Sequence, residues 1–172
     1  MPRFSLATYR TLLGNANLAR TNQRKGQTFE ALIGYLFASL PGVEVRERRA
    51  RTSSEEIDLV LWNERRIHVL KILENVILVE CKNWTKRVGT PDVNWFATKL
   101  RNRGLMNGIL VTRNGITGDC YRDGGRIIMN SLRDQIKIIV LTFAELKGLN
   151  SNADFLDLLK RKYCQLFIEK PF

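Results

Sequence analysis

Histidine and cysteine are almost missing from this 172-residue chain: there is one histidine, His68, and three scattered cysteines, Cys81, Cys120 and Cys164. A zinc ribbon needs clustered Cys/His pairs and a disulfide framework needs a denser, even set. Both are excluded, and a reducing, cytoplasmic setting is expected. Catalysis with histidine as acid and base would rest on His68 alone, which lies between apolar neighbours in Ile67-His68-Val69-Leu70 and reads as an ordinary strand or surface residue. Cys81 and Cys120 read as small core residues rather than redox sites. There is no G-x-S-x-G nucleophile elbow, no P-loop and no G-x-G-x-x-G phosphate cradle. Long apolar runs are lacking too: Val76–Val79 and Ile138–Leu141 stop far short of the ~20 residues that span a bilayer, which excludes a transmembrane protein. What remains for chemistry is carboxylates and lysines.

Charge is what the chain has in excess. Lys and Arg number 28 against 17 Asp and Glu, a net charge of +11, which favours a polyanionic partner. The excess is uneven. Residues 1–29 carry five basic side chains and no acid, a composition that suits a basic helix or arm over 1–23 and is also that of an organelle transit peptide. Residues 30–81 are net −2, with nine acids, and residues 82–113 carry seven basic groups against Asp92 alone. A basic frame around an acid-bearing centre is the distribution expected where carboxylates hold metal ions inside a phosphate-binding groove. The basic residues are not confined to one amphipathic helix, which argues against a membrane-surface protein.

Length and a 44% hydrophobic content fit one domain with one core. Phe29, Leu32, Ile33, Leu36, Phe37 and Leu40 recur at helical spacing and stop at Pro41-Gly42. Val43–Arg49 reads as a charged strand, Thr52-Ser53-Ser54 as a turn and Ile57–Trp62 as a second strand. Residues 63–75 read as a connection with a short strand around Ile67–Leu70. Val76–Lys82 starts as an unbroken apolar run, as a central strand does. Thr90-Pro91 opens a helix with the stripe Val93, Phe96, Ala97 and Leu100, closed by Gly104. A strand at Gly108–Thr112, a helix at Asp119–Leu132 interrupted near Gly124-Gly125, and a strand at Ile136–Leu141 follow. Thr142-Phe143-Ala144-Glu145 fits a capping box, and Phe155, Leu158, Leu159 and Lys162 suit a last helix. This order predicts a mixed α/β sheet covered on both faces.

Strand periodicity then places the chemistry. A period of two puts Val76, Leu78, Glu80 and Lys82 on one face, so Glu80 and Lys82 project together from the end of an otherwise apolar strand. Asp58 lies opposite the Ile57, Leu59 and Leu61 face of the preceding strand, and antiparallel pairing would bring it to Glu80. Two such carboxylates stay ionised most easily with a cation between them, and hard oxygen ligands suit Mg²⁺. Lys82 would stabilise the transition-state charge or orient a water. The alternative is a salt-bridged cluster at a strand end. Glu30, beside the first helix's apolar stripe, is either a third acid for this pocket or a solvated helix-edge residue.

Glu30 on an early helix, Asp58 in Glu56-Ile57-Asp58-Leu59-Val60, and Glu80-Cys81-Lys82 after Val76-Ile77-Leu78-Val79 resemble the PD-(D/E)xK nuclease superfamily. The stretch Val79-Glu80-Cys81-Lys82-Asn83-Trp84, then Phe96, Gly108-Ile109-Leu110-Val111-Thr112 and Asn114-Gly115-Ile116-Thr117, is similar to its Mrr-like restriction endonuclease group. The resemblance covers residues 24–148, with 149–172 as a helix packing on that core. It implies an α/β restriction-endonuclease-like core, a mixed four- to five-stranded sheet flanked by helices. It also implies a metal-dependent endonuclease of restriction or defence type, cutting DNA with Mg²⁺ or Mn²⁺. Asp58 and Glu80 match the metal ligands, the Cys81 carbonyl a further ligand, Lys82 the lysine that assists water, and Glu30 the auxiliary helix acid. Two departures stand out: Ile57 replaces the family's named proline, and the helix after the lysine has no clear glutamine, leaving Asn94 or Lys99 for that role.

Expected contacts to nucleic acid are Arg24, Lys25, Asn83, Lys86 and Arg87, with Lys99, Arg101 and Arg103 serving either phosphate or their own helix dipole. Trp84 and Trp95 stack on bases or, the better reading, pack. One site cuts one strand, so a homodimer is expected for duplex cleavage. The segments outside the core are short for target recognition, which points to a recognition partner, a fused domain or recognition of DNA structure. A junction resolvase, a repair nuclease or an RNase keeps the same fold with another substrate, and a catalytically silent nucleic-acid-binding module is the remaining alternative.

Overall fold

Five strands in the order β1-β2-β3-β4-β5 form the sheet on which everything else is hung. In the computed structural model, which describes residues 3–51, 56–119 and 121–168, the chain begins with helices α1 (Leu6–Leu18) and α2 (Asn22–Ala38). Strands β1 (Val43–Arg51), β2 (Glu56–Asn63) and β3 (Val76–Lys82) follow and pair antiparallel. Then α3 (Thr90–Asn102), β4 (Asn107–Thr112), α4 (Asp123–Arg133) and β5 (Lys137–Thr142) add two strands parallel to β3. Helices α5 (Phe143–Lys147) and α6 (Asn152–Gln165) close the described chain. The architecture is the expected mixed α/β sheet flanked by helices. Among the described residues no helix is long and apolar enough to cross a membrane.

Each face of the sheet follows from strand alternation. Leu78, Glu80 and Lys82 of β3 share a face with Gly108 and Leu110 of β4, and α3 lies over it. Ile77, Val79 and Cys81 look the other way, towards α2, whose stripe Phe29, Leu32, Ile33, Leu36 and Phe37 is buried as the helical spacing predicts. Phe143 meets Phe29 and Phe155 meets Phe37 edge-on, ring centres 5.8 and 5.1 Å apart, so α5 and α6 extend the α2 layer. Coverage is unequal: along β2 burial alternates, with Leu59 and Leu61 buried and Trp62 exposed, so this antiparallel margin is covered on one face only.

Two local expectations are corrected. Residues His68–Ile72 form a 3-10 helix where a short strand was expected. Buried Asn63 imposes it: its amide donates to the carbonyls of Leu70 (2.9 Å) and Glu74 (3.1 Å), folding the connection back over Leu70 and Leu73. Helix α4 starts at Asp123, so Gly124-Gly125 lies in its first turn and is no interruption. A Cβ on Gly125 would collide with the Asp119 carbonyl, and the Gly125 N–H donates to Thr117 at 3.3 Å. Glycine here lets the preceding loop cross close to the helix start. The capping box at Thr142–Glu145 is present in full. The turn expected at Thr52-Ser53-Ser54, and Cys120, lie outside the described residues.

Helix α3 sits unusually close to β4. A Cβ on Gly108 would lie 2.6 Å from Leu100 Cδ1 and 2.8 Å from Phe96 Cζ, both buried. Gly108→Ala is therefore expected to lower stability by about 1–3 kcal/mol through overpacking. Gly14→Ala in α1, where an added methyl meets nothing within 4 Å, should raise it by about 0.5–1 kcal/mol. Urea unfolding of both variants checks the pair; equal effects would mean that α3 can withdraw from the sheet freely.

Candidate active site

Register brings the acids together. Leu59 pairs with Val79, and one further step of the same antiparallel ladder sets Asp58 opposite Glu80. Asp58 Oδ2 accepts the Cys81 N–H at 2.6 Å, so the carboxylate is pinned to the strand that carries Glu80. Glu80 is 4% exposed. Its Oε1 takes Lys82 Nζ at 2.8 Å and its Oε2 takes Lys99 Nζ at 2.9 Å. Lys99, itself 3% exposed, also donates to the Glu56 carbonyl at 2.6 Å. A buried carboxylate with a lysine on each oxygen meets the requirement that buried charge be paired.

The electrostatics follow from burial and from these neighbours. Burial, reinforced by the Glu80 charge, pushes the Asp58 carboxyl up to about 7 against the opposing Cys81 N–H. Burial works against the Lys82 ammonium, yet the Glu80 charge and hydrogen bond outweigh it and raise its pKa. Burial also pushes the Cys81 thiol up, so the side chain is a neutral thiol and the group Cys81 offers a hard cation is its carbonyl. Among the described residues no three His, Cys, Asp or Glu side chains are grouped to hold a metal. The donor chemistry here is two carboxylates and a carbonyl, all hard oxygen, with Asp58 disfavoured as an anion until a cation compensates it. That set fits Mg²⁺ or Mn²⁺ with water completing the shell.

The other expected site residues distribute differently. Glu30 is buried, and Arg49 grips both its oxygens at 2.8 and 3.0 Å, while Arg48 donates to its carbonyl at 3.3 Å. Glu30 is thus felt at Asp58 through its charge but held by Arg49 at the border of α2 and β1. Arg49 reaches it from a left-handed backbone, φ 52°, a conformation uncommon outside glycine. Asn83 is corrected from a phosphate contact to an internal strut. It is 3% exposed, donates to the carbonyls of Ala16 (3.3 Å) and Lys25 (3.0 Å), and accepts from Arg113 (3.2 Å). Lys99 is corrected as a phosphate contact, since it faces Glu80 in the interior; of the two residues weighed for the glutamine's place it is the one beside the acids, while Asn94 is exposed. Arg101 pairs with Asp134 at 2.9 Å, and Arg103 donates to the Lys99 carbonyl at 3.0 Å.

The remaining expected contacts to nucleic acid are basic groups at the surface. Arg24, Lys86 and Arg87 are exposed. Lys25 lines a cavity of about 200 Å³ with Asn22, Gly26, Cys81, Asn83 and Trp84. Trp84 is half-buried, with Lys82 Nζ 4.9 Å and Lys86 Nζ 5.6 Å from its ring centre. Trp95 is exposed. Arg49 as the partner of Glu30 escaped sequence reasoning because it depends on a backbone irregularity in β1. Lys99 carried a usable signal, since it falls three residues after Phe96 and beside the buried stripe.

An unfolded Asp carboxyl titrates near 3.8 and the folded Asp58 carboxyl near 7, so the folded chain holds the proton through that window. Stability linked to this group is fully present below pH ~4 and is lost as pH rises through ~7. Asp58→Asn is accordingly expected to raise Tm at pH 8 in EDTA, with the gain shrinking towards pH 4. A Tm difference independent of pH would mean that the fold does not oppose the Asp58 charge.

Comparison with known proteins supplies an independent view of this arrangement. Among solved structures the chain is similar to SfsA from Pyrococcus furiosus in complex with Ca²⁺, with 17% identity and a TM-score of 0.42. The similarity spans 70% of this chain and 57% of that one, so just over half of that protein's length is matched. No curated protein sequence matches the chain. The restriction endonuclease family Mrr_cat matches residues 21–146, a span that contains α2, all five strands and every residue of the Asp58–Glu80–Lys82 cluster. The chain belongs to the Mrr_cat restriction endonuclease family.

Proposed function

We propose that this protein is a metal-dependent endonuclease that hydrolyses phosphodiester bonds in DNA, in a restriction or defence role. The observation that carries the reading is the convergence of Asp58, Glu80 and Lys82 at the adjoining ends of β2 and β3, with Lys82 Nζ 2.8 Å from Glu80 Oε1. The nuclease core is residues 24–148, with α1 and α6 packed on it. Asp58, Glu80 and the Cys81 carbonyl are the groups that would hold Mg²⁺ or Mn²⁺, which when bound would lower the pKa of a coordinated water and polarise the phosphoryl oxygen.

The remaining chemistry belongs to the chain's own residues. Lys82 brings a fixed positive charge to the edge of the acid pair, where charge accumulates on a phosphoryl group under attack. Its contact with Glu80 fixes the ammonium, and its position over Trp84 keeps it from swinging away. Glu30 acts at longer range, through its charge, because Arg49 occupies its oxygens. Arg24, Lys25, Lys86 and Arg87 supply a basic rim for the phosphates that flank the scissile one, a term that weakens with salt. A two-fold dimer would present two such centres to the two strands of a duplex.

Supercoiled plasmid should be nicked or linearised with Mg²⁺ or Mn²⁺ and remain intact in EDTA. Asp58→Ala and Lys82→Ala should each reduce the rate by roughly a hundredfold or more, in line with the loss of a metal ligand or of a transition-state charge partner. Glu30→Gln should cost less than about tenfold, as expected for an acid acting at a distance through screened charge. DNA bound equally by wild type and variants yet never cut would favour a binding module of the same fold, and cleavage restricted to RNA or to branched DNA would redirect the substrate.

A further inference from the structure

Lys99 is the second lysine of the acid centre and the one that cannot leave it. Lys82 is half-buried at the mouth of the site, on the side open to solvent. Lys99 is 3% exposed and comes from the opposite direction, from the buried face of α3 between Phe96 and Leu100. Its Nζ is held by Glu80 Oε2 at 2.9 Å and by the Glu56 carbonyl at 2.6 Å. The helix behind it is pressed on Gly108, where no Cβ fits. An ammonium in this position has no route to water when another cation arrives.

Charge then limits what the centre can accept. Asp58 and Glu80 bring two negative charges, and Lys82 and Lys99 bring two positive ones. Glu30 and Arg49 cancel each other, and Asp92 acts on Lys82 at longer range. One divalent cation can be offset by the phosphates of a bound nucleic acid. A second would have to share Glu80 Oε2 with an immovable ammonium, at a spacing where like charges repel strongly in a low-dielectric interior. Each Glu80 oxygen keeps a second lone pair beyond its lysine bond, so one cation beside Asp58 remains compatible with both ammonium contacts.

We propose that Lys99 is a positioning residue that stands, as a fixed positive charge on Glu80 Oε2, in the place of a second metal, so that the centre takes a single divalent cation. The inference rests on the metal-dependent reading above and names the stoichiometry of that same site. Lys99 sets both the orientation of Glu80 and the number of cations the acid pair can hold, without touching the substrate.

The test is Mn²⁺ binding to the full chain without DNA, read by electron paramagnetic resonance of the free ion, for wild type, Lys99→Gln, Lys99→Met, Lys99→Arg and Asp58→Ala. Wild type and Lys99→Arg should bind one Mn²⁺ per chain. Lys99→Gln should bind the first Mn²⁺ tighter by roughly tenfold or more, or take up a second, because one nearby positive charge is gone. Lys99→Met provides the same reading if the glutamine variant does not fold, with folding checked by circular dichroism. The proposal is overturned if wild type binds two Mn²⁺ with comparable affinity, or if a folded neutral variant binds no tighter than wild type. Loss of binding in Asp58→Ala alongside that second result would leave the metal-dependent reading intact and remove this inference alone. Absence of Mn²⁺ binding in every protein, or binding that ignores Asp58→Ala, would overturn both.

Discussion

A carboxylate at the inner end of a central strand has to be neutralised, and the way Glu80 is neutralised organises this molecule. Leaving such a charge buried and unpaired costs several kcal/mol. Lys82 reaches it from its own strand and Lys99 from α3. Asp58 is brought alongside by the β2–β3 register and tied to the Cys81 amide. Three elements that are distant in sequence are thereby fixed around one anion. Any slip of β2 by one residue would turn Asp58 to the other face of the sheet and put Leu59 in its place.

The surrounding scaffold keeps that geometry. Gly108 lets α3 approach β4 closely enough for Lys99 to reach Glu80, which makes a missing side chain in one strand a condition for a charge contact in the next. On the other face Asn83, one residue past β3, ties the strand end to α1 through Ala16 and to α2 through Lys25. Tyr9 anchors α1 from the far side, its hydroxyl donating to the Leu146 carbonyl at 2.6 Å. The N-terminal helices are therefore held beside the end of β3 that carries Glu80 and Lys82.

Much of this was legible in the sequence where the governing physics is local. Helical spacing from Phe29 to Leu40, proline in the first turn of α3, the capping box at Thr142 and the apolar start of β3 each rest on contacts within a few residues, and each describes the structure. The meeting of Asp58 and Glu80 was also accessible, because strand period and antiparallel pairing suffice to predict it. The roles of Asn83 and Arg49 were not, and that of Lys99 only in part, through its place beside the buried stripe of α3. Asn83 after an active-looking strand reads as a surface group, and only the closeness of α1 to β3 turns it inward; for Lys99 the closeness of α3 to β4 decides between the surface and the acid pair. Arg49 reaches Glu30 through a left-handed residue inside a strand, which no periodicity signals. The short strand expected around Ile67–Leu70 is absent for a related reason: a buried Asn63 side chain satisfies the backbone there in place of a ladder.

The central claim is that a divalent cation binds between Asp58, Glu80 and the Cys81 carbonyl. Paramagnetic broadening of backbone amide signals by substoichiometric Mn²⁺ addresses it most directly, since the effect falls steeply with distance from the ion. The amides of Asp58, Cys81 and Lys82 should broaden first. Those of Trp62 and Val76, some ~15 Å away at the other end of the same strands, should stay sharp. Broadening centred on the Glu44 and Glu64 end of the sheet, or spread evenly over the surface, would contradict the account.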